Sequence, residues 1–345
     1  MLPKPGPLGH GLSPPLTSLQ TTIMLKSAHL IFNPVAGQGN PEQDLARILS
    51  VLESELDLHI HKTTEEIGAD QLAGQALDAG AEAILVSGGD GTISAAANAL
   101  IGSDTPLGII SRGTANAFAN ALGLPDDIEQ ACRAILQGVT KQIDVATCND
   151  RPMVLLAGIG FEAKAIENAN RDLKNRLGRL AYVFSSFREL RSIETFKATI
   201  ETDDKIVELD ATAITIANAA PPTSILAQGP AGILADDGYL DLTVVTASGF
   251  GDAMSVGFRL LRSAINSDAV TDHNNIGFLR SRRIVVTTDP EQKVVLDGEI
   301  IDESPVEITC VPLGLTIFIS EELKEEPDDA IDQMSDVTVT DKSKA

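Results

Sequence analysis

Aromatic residues are scarce in this chain of 345 residues, which has no tryptophan and only two tyrosines. Proteins that hold single-stranded nucleic acid use aromatic side chains as stacking platforms for the bases. Lysine and arginine are also few, and the formal net charge of -23 would repel a polyanion over most of the surface. We therefore expect no nucleic-acid partner.

Cysteine is nearly absent as well, since the chain contains only Cys132, Cys148 and Cys310. Their spacing fits no metal site, and three cysteines cannot all pair within one chain, so we expect buried thiols in a reducing compartment. No apolar run approaches the roughly 20 residues that cross a bilayer. The first residues also lack the apolar segment of a signal peptide. These absences predict a cytoplasmic protein whose contact with lipid is peripheral.

The two ends of the chain lack the periodicity of packed elements. Residues 1–27 begin with a stretch rich in proline and glycine, and residues 321–345 are strongly acidic. Both compositions are typical of solvated, disordered segments. We predict a disordered N-terminal extension and a disordered acidic tail.

Between these ends, the pattern changes near residue 140. From residue 28 to 138, short apolar strands alternate with glycine-containing loops and helical stretches, which indicates a parallel sheet with helices on both faces. In such sheets, ligands bind at the carboxyl ends of the strands. Later strands have short connections and predict a mostly antiparallel β domain, interrupted by helical stretches at 162–190 and 251–266. The predicted strands are 196–208, 211–217, 239–246, 283–288, 293–296 and 306–310, with a last strand at 315–319 that could close either domain.

The sharpest motif is the loop Ser87–Thr92, which follows an apolar run and opens a helix. Glycines let backbone N–H groups approach phosphate oxygens, and the helix N-terminus adds partial positive charge. A carboxylate at this place needs a cation, so Asp90 most naturally acts through Mg²⁺. The alternative is a tight turn in which Asp90 caps the helix.

Two further loops occupy the same topological place after neighbouring strands. Asn33–Asn40 would be an ordinary strand-to-helix loop if it stood alone, and in Ser111–Asn116 the side chain of Arg112 could face phosphate or cap a neighbouring element. Three such loops would converge at one edge of the sheet. Their convergence favours a nucleotide site over three independent turns.

Three later segments carry charges in suggestive patterns. Asp297-Gly298-Glu299 could supply a base and a metal partner, although Asp-Gly is also a common hairpin signal. The acidic turn Ala235–Asp241 fits a structural cation and an Asx turn equally well. The basic stretch 171–191 could dock on anionic lipid or pack one face of a helix on the core.

Taken in order, the three loops, the acidic turn and the late Asp-Gly-Glu resemble the diacylglycerol kinase-like fold. The resemblance is to bacterial lipid kinases related to diacylglycerol and sphingosine kinases, and it covers about residues 29–320. It implies an α/β nucleotide domain with a three-layer parallel sheet, as in NAD kinase and diacylglycerol kinases, at 28–138 plus 313–320. It also implies an antiparallel β-sandwich domain for a lipid substrate at 139–312. The cofactors would be ATP and Mg²⁺, and the lipid would be met at a membrane surface.

The resemblance also implies residue roles. Asp297 would be the general base that takes the proton of the acceptor hydroxyl, with Glu299 beside it and Asp90 acting at the nucleotide. Asp236 and Asp237, with Leu240, look like a structural Mg²⁺ loop. The residues expected to bind the nucleotide are Asn33, Pro34, Gly37, Thr64, Gly88, Gly89, Asp90, Gly91, Thr92, Gly113, Thr114 and Asn116.

Three positions depart from the common pattern of these kinases. Val35 replaces a frequent basic residue, Ala95 a frequent Glu, and Ala117 a frequent Asp. They motivate a second hypothesis, a nucleotide-binding regulatory protein without turnover. A third is an NAD kinase-like enzyme with a soluble acceptor, because NAD kinase shares the Gly-Gly-Asp-Gly-Thr loop. A homodimer is compatible with the sequence, which carries no signal for the oligomeric state.

Overall fold

The computed structural model describes residues 20–37, 39–160, 195–220, 235–246 and 276–320. Several segments that the sequence singles out lie outside these residues. They are the first 19 residues, the helical stretches at 162–190 and 251–266, the basic stretch 171–191 and the acidic tail 321–345.

The N-terminal half is built on four parallel strands, which lie in the spatial order β3, β2, β4, β5. Alternate residues of a strand point to opposite faces, so Leu30 and Phe32 lie in one apolar cluster and Ile31 in the other. Helices α1 and α5 cover the first face, and α2 and α3 cover the second. The predicted three-layer arrangement is confirmed. The elements are β2 (Ser27–Phe32), α1 (Pro41–Leu52), β3 (Asp57–Lys62), α2 (Ala69–Asp78), β4 (Ile84–Gly88), α3 (Asp90–Leu100), β5 (Leu107–Ser111), α4 (Ala117–Ala121) and α5 (Ile128–Gln137).

Local caps fix where the outer helices begin and end. The Asn40 side chain accepts hydrogen bonds from the N–H groups of the first turn of α1, and Asp127 does the same for α5. Such capping satisfies backbone donors that have no partner inside the helix. Helix α5 ends at Gly138, whose φ of +68° suits glycine.

The C-terminal half forms an antiparallel β-sandwich, as predicted. One set of strands extends the parallel sheet, and a second sheet lies in the order β13, β12, β11, β8, β15, β16. Alternating buried residues from both sheets fill the interior between them. The first set is β6 (Val139–Cys148), β7 (Arg151–Met153), β9 (Phe196–Thr202), β10 (Ile206–Ala211), β14 (Arg283–Asp289) and β17 (Val306–Phe318). The second is β8 (Leu156–Gly160), β11 (Ala213–Ala217), β12 (Leu240–Val245), β13 (Ile276–Ser281), β15 (Lys293–Leu296) and β16 (Glu299–Glu303).

Strand β17 connects the two halves. The sequence predicts two strands here, but the structure has one strand of 13 residues. Its beginning pairs with β14, and Ile317 near its end pairs with Leu107 of the parallel strand β5. The last strand therefore returns to the first half, as the resemblance implies. The expected boundary between residues 312 and 313 falls inside β17, at a register shift between Val311 and Leu315.

Two predictions are wrong at the level of single elements. Residues 20–27 are not disordered, because β1 (Gln20–Thr22) pairs with the edge of β6 and Ile23 donates a backbone hydrogen bond to Gly138. Backbone pairing of this kind needs no apolar periodicity. The segment 196–208 is a hairpin and not one strand, because the Thr202 hydroxyl accepts from Lys205 N and closes a turn between β9 and β10.

Candidate active site

The three glycine-containing loops meet at the carboxyl edge of the parallel sheet. The N–H of Asn33 donates to the carbonyl of Ser87 at 2.9 Å, and the N–H of Arg112 donates to the carbonyl of Gly88 at 2.7 Å. The Asn33 side-chain amide donates to the Thr92 hydroxyl at 2.7 Å. The convergence that the sequence predicts is therefore present.

Glycine is required at the points where the loops approach each other. A Cβ atom on Gly113 would lie 2.9 Å from Cα of Gly89, and one on Gly37 would lie 2.7 Å from the carbonyl oxygen of Arg112. Gly37 also has φ of +87°, which side chains rarely tolerate. Glycine at these points lets the loop backbones lie close together, as a phosphate site built from backbone N–H groups needs.

Asp90 joins the second loop to the third. It is the first residue of α3, where Gly89 occupies the capping position and no side chain caps the helix. Instead, Asp90 Oδ1 accepts the N–H of Ala117, the first residue of α4, at 2.5 Å. Its carboxylate lies between two loops, where the sequence leads us to expect Mg²⁺ bound to the nucleotide. Because the backbone N–H of Ala117 makes this contact, the two loops stay linked even though alanine replaces the frequent Asp at this position.

Arg112 lies beneath the first loop and is almost fully buried. Its side chain is 2% exposed, and Nε donates to Asp44 Oδ2 at 2.9 Å. Nη1 donates to the carbonyl oxygen of Asn33 at 2.9 Å, and the guanidinium lies 4.5 Å from the centre of the Phe32 ring. Sequence reasoning offered phosphate contact or capping for Arg112. The structure instead shows a buried ion pair that ties the third loop to the first loop and to α1.

Buried polar atoms without a hydrogen-bond partner collect at this edge of the sheet. Within the described part of the chain, they include Ser87 Oγ, Ser111 Oγ, Arg112 Nη2 and Asn116 Oδ1, at the ends of β4 and β5 and in the loop that follows. Native proteins leave few such atoms unpaired. Their concentration here fits a site that is completed by a polar ligand.

Thr64, predicted to bind the nucleotide, is placed apart from this network, and the departure at Val35 lies at its surface. The Thr64 hydroxyl accepts from the N–H groups of Glu66 and Ile67 and donates to the Glu66 carboxylate, so it closes its own turn after β3. No hydrogen bond among the described residues joins Thr64 to the glycine loops. Val35 at the tip of the first loop is 89% exposed. The frequent basic residue is thus replaced by an exposed apolar one.

Asp297 lies in the two-residue turn between β15 and β16. Asp297 and Gly298 both have positive φ, +48° and +92°, so the hairpin interpretation of Asp-Gly is confirmed. The Asp297 carboxylate accepts three backbone hydrogen bonds, from the N–H groups of residues 154, 155 and 156, at 2.9 to 3.0 Å. Burial raises its pKa to about 6, and the nearby charge of exposed Glu299 adds to this increase. The turn of this hairpin therefore carries a carboxylate with a raised pKa.

The segment that holds Asp297 packs against the half of the molecule that carries the glycine loops. Val154 and Leu155 share an apolar cluster with Ile93 of α3 and Phe118 of α4, the helices that follow the second and third loops. The predicted base and the glycine loops are thus linked through one core.

Sequence reasoning missed two buried polar residues behind Asp297. Asn218 donates from its side-chain amide to the carbonyl oxygens of Val154 (3.1 Å) and Asp144 (2.9 Å). Asp144 is fully buried, and its carboxylate accepts from Gly238 N and Leu313 N. Burial raises the pKa of Asp144. The only local signal for either residue was a polar side chain within an apolar strand pattern.

Asp236 and Asp237, in the acidic turn at 235–241, have partners within the protein. Asp237 Oδ1 accepts the N–H of Tyr239 at 3.0 Å, which is the Asx turn that the sequence allowed. Asp237 Oδ2 is paired with Arg280, and Asp236 with Lys141 at 2.7 Å. Leu240 is a buried strand residue. No group of three His, Cys, Asp or Glu side chains in the described residues could hold a metal ion.

Comparison with known proteins agrees with this architecture. Residues 27–148 match the family described as the diacylglycerol kinase catalytic domain, and residues 156–319 match the YegS C-terminal NAD kinase beta sandwich-like domain. An uncharacterised protein of Synechocystis is 47% identical over 85% of this chain and 70% of its own length. The diacylglycerol kinase of Bacillus subtilis is 29% identical over 88% of this chain and 100% of its own.

Solved structures agree as well. A diacylglycerol kinase structure from Bacillus anthracis matches with a TM-score of 0.66 and 25% identity, over 88% of this chain and 99% of that chain. A second structure from the same organism matches over the same shares with a TM-score of 0.73 and 27% identity.

The fold and the three converging loops define the class as a kinase with a parallel-sheet catalytic half and a β-sandwich. The chain belongs to the diacylglycerol kinase catalytic-domain family of lipid kinases. Among the described residues, no helix has both the length and the apolar character needed to cross a membrane.

Proposed function

We propose that this protein transfers the γ-phosphate of Mg-ATP to a hydroxyl group of a diacylglycerol-like lipid. The observation that carries the proposal is the meeting of three glycine-containing loops at one sheet edge, together with unpartnered buried polar atoms at the same edge. Family membership supports the kinase class. The lipid acceptor is suggested by the diacylglycerol kinases among the relatives.

The nucleotide phosphates would be held mainly by backbone groups. Phosphoryl transfer needs positioning and neutralisation of charge more than covalent chemistry. The N–H groups of the loops at 33–37, 88–92 and 113–116 would bind phosphate oxygens, aided by the N-terminus of α3. Asp90 is the residue we propose to hold Mg²⁺, which neutralises charge on the transferred phosphoryl group when it is bound with the nucleotide.

Asp297 is the residue we propose as general base. With a pKa of about 6, its carboxylate is ionised at pH 7 and still basic enough to take a proton as the hydroxyl attacks. Three backbone N–H donors fix its orientation. A carboxylate has about four lone-pair positions, so one remains for the acceptor hydroxyl.

Contact with the membrane is proposed to be peripheral. A lipid acceptor requires the proposed active site to reach the bilayer surface, and the exposed Val35 at the tip of the first loop is compatible with that approach. Location in the cytoplasm and a homodimeric state stay predictions.

The acceptor class can be tested by transfer of labelled γ-phosphate from Mg-ATP. The acceptors would be micellar diacylglycerol, monoacylglycerol, phosphatidylglycerol, sphingosine and ceramide, with NAD⁺ as the soluble comparison. We expect label in a diacylglycerol-like lipid. Label in NAD⁺ alone would favour the NAD kinase-like alternative, and ATP binding without transfer to any acceptor would favour the regulatory one.

A further inference from the structure

Four carboxylates lie close together around the turn that begins the strand β12. They belong to Asp144, Asp236, Asp237 and Asp241. Burial, and in addition repulsion from Asp237, raises the pKa of both Asp144 and Asp241, and Asp236 adds to the repulsion on Asp144. Carboxylates that are partly withdrawn from water need a positive charge nearby. The resemblance implies that Mg²⁺ supplies this charge. The structure contains another source.

Arg280 on β13 bridges two of these carboxylates. It is the register partner of Asp241 across the β12–β13 pair. Its Nε lies 3.0 Å from Asp241 Oδ1, and its Nη2 pairs with Asp237 Oδ2. The Asp237 and Asp241 side chains are only 14% and 8% exposed, while that of Arg280 is 47% exposed, so the contacts are shielded from water on the carboxylate side. The planar fork of a guanidinium suits such a double contact.

The remaining carboxylates also have partners within the protein. Lys141 on β6 pairs with Asp236 at 2.7 Å. Both oxygens of Asp144 accept backbone N–H groups, from Gly238 at 2.6 Å and from Leu313 at 2.8 Å. Mg²⁺ and Ca²⁺ require six or more oxygen ligands around the ion. The described side chains of this turn are instead committed to hydrogen bonds and ion pairs.

We propose that Arg280, assisted by Lys141, replaces a structural divalent cation in the 235–241 turn. The guanidinium links the turn to β13, and the ammonium links it to β6, so the β-sandwich is held together at this place without a metal. The proposal concerns only this turn, and it is independent of the Mg²⁺ that accompanies ATP.

One atom gives the proposal a sharp consequence. Asp241 Oδ2 is buried and has no hydrogen-bond partner. Replacement of Arg280 would also release Asp237 Oδ2 and Asp241 Oδ1 from their ion pairs. The two carboxylates would then carry uncompensated negative charge in one small region. We expect a divalent cation to bind there in the variant, although it does not bind in the native protein.

The test compares Arg280→Gln with Arg283→Gln in the full chain. Arg283 is three residues further along, and it makes ion pairs with exposed Glu307 at 2.7 Å and Glu201 at 3.6 Å. Each protein would be treated with EDTA, exchanged into metal-free buffer and analysed for bound Mg²⁺ and Ca²⁺ by mass spectrometry. Thermal unfolding would then be followed in EDTA, in about 10 mM Mg²⁺ and in about 10 mM Ca²⁺. These concentrations are chosen to saturate weak sites.

We expect the native protein to contain no bound metal. Its Tm should be the same, within about 1 °C, in EDTA and in either cation. Arg280→Gln should unfold roughly 5 °C lower in EDTA, and Mg²⁺ or Ca²⁺ should restore most of this loss. Arg283→Gln should show neither effect.

Two results would overturn the proposal. The first is one equivalent of metal in the native protein, or a native Tm that falls in EDTA. The second is an Arg280→Gln protein that behaves like Arg283→Gln in every buffer. If Arg280→Gln does not fold, the metal content and the EDTA response of the native protein decide alone. None of these measurements uses kinase activity, so failure here is distinct from failure of the proposed function.

Discussion

The buried ion pair between Arg112 and Asp44 offers a defined way to disturb the proposed nucleotide site from behind. The Arg112 side chain is 2% exposed and that of Asp44 is 20% exposed. Asp44→Asn would leave the guanidinium buried and still protonated, because arginine does not lose its proton in proteins. The asparagine oxygen could accept one hydrogen bond but would carry no charge.

The magnitude follows from this burial. Removing one partner of a buried ion pair costs about 3–5 kcal/mol of the free energy of unfolding. Asp44 is partly exposed, and the asparagine oxygen could still accept a hydrogen bond. We therefore expect the lower end of this range, about 3 kcal/mol. At roughly 2–4 °C per kcal/mol, the Tm should fall by roughly 6–12 °C. Arg112 also holds the carbonyl of Asn33, so the first loop should loosen and the Kd for ATP should rise about tenfold.

Calorimetry would measure both effects, with Asp127→Asn as the matched control. That substitution breaks an ion pair with Arg47 whose side chains are 43% and 46% exposed, and asparagine can still cap α5. We expect little change in Tm or in ATP affinity for the control. Equal, small effects of the two substitutions would refute the reasoning that the buried pair organises the first loop.

Two further predictions concern the glycine loops and Asp297. Gly113→Ala places a Cβ 2.9 Å from Cα of Gly89, so the loops should separate. The affinity for ATP, measured by calorimetry, should then fall at least roughly tenfold. The control is Gly74→Ala, whose Cβ meets nothing within 4 Å and which should stabilise helix α2 by about 0.5–1 kcal/mol. Burial raises the pKa of Asp297 from 3.8 to about 6, so the native state binds this proton more tightly than the unfolded chain does. The free energy of unfolding should therefore decrease as the pH rises from about 4 to about 6, and Asp297→Asn should remove this part of the dependence. Because a base must be ionised, kcat/KM should fall as the pH drops below about 6, and a rate that is unchanged down to pH 4 would contradict the assignment.

The parallel sheet could be predicted from the sequence because its signals are local. Each strand is followed by a glycine loop and a helix, and caps such as Asn40 mark the first turn of a helix. The convergence of the loops then follows from topology, since the carboxyl ends of adjacent parallel strands share one edge.

The partners of the buried charges could not be predicted in the same way. Arg112 and Asp44 are separated by 68 residues, and Asp297 and the amide of Val154 by 143. A short motif does not indicate which distant residue it will contact. The two strands predicted at 306–310 and 315–319 form one strand for a related reason, because residues 311–314 make a bulge that distant β6 keeps within one sheet.

The acidic turn shows that a short motif does not reveal which distant strands supply its partners. The residues Asp236-Asp237-Gly238 fit the resemblance, but only the structure reveals Arg280 from a separate strand beside them. An Asx turn at Asp237, which the sequence left open beside a structural cation, is present.

The measurement that tests the central claim most directly is the rate of labelled phosphate transfer to lipid by Asp297→Asn. Asp150→Asn is the matched control, because Asp150 is an exposed turn residue with φ of +63° and asparagine accepts such a conformation at both sites. We predict that Asp297→Asn loses about 10²–10⁴-fold in kcat with an ATP affinity within about twofold of native, while Asp150→Asn keeps the native rate. A folded Asp297→Asn protein that transfers phosphate to lipid at the native rate would contradict the claim and leave Asp297 as a structural residue of its hairpin.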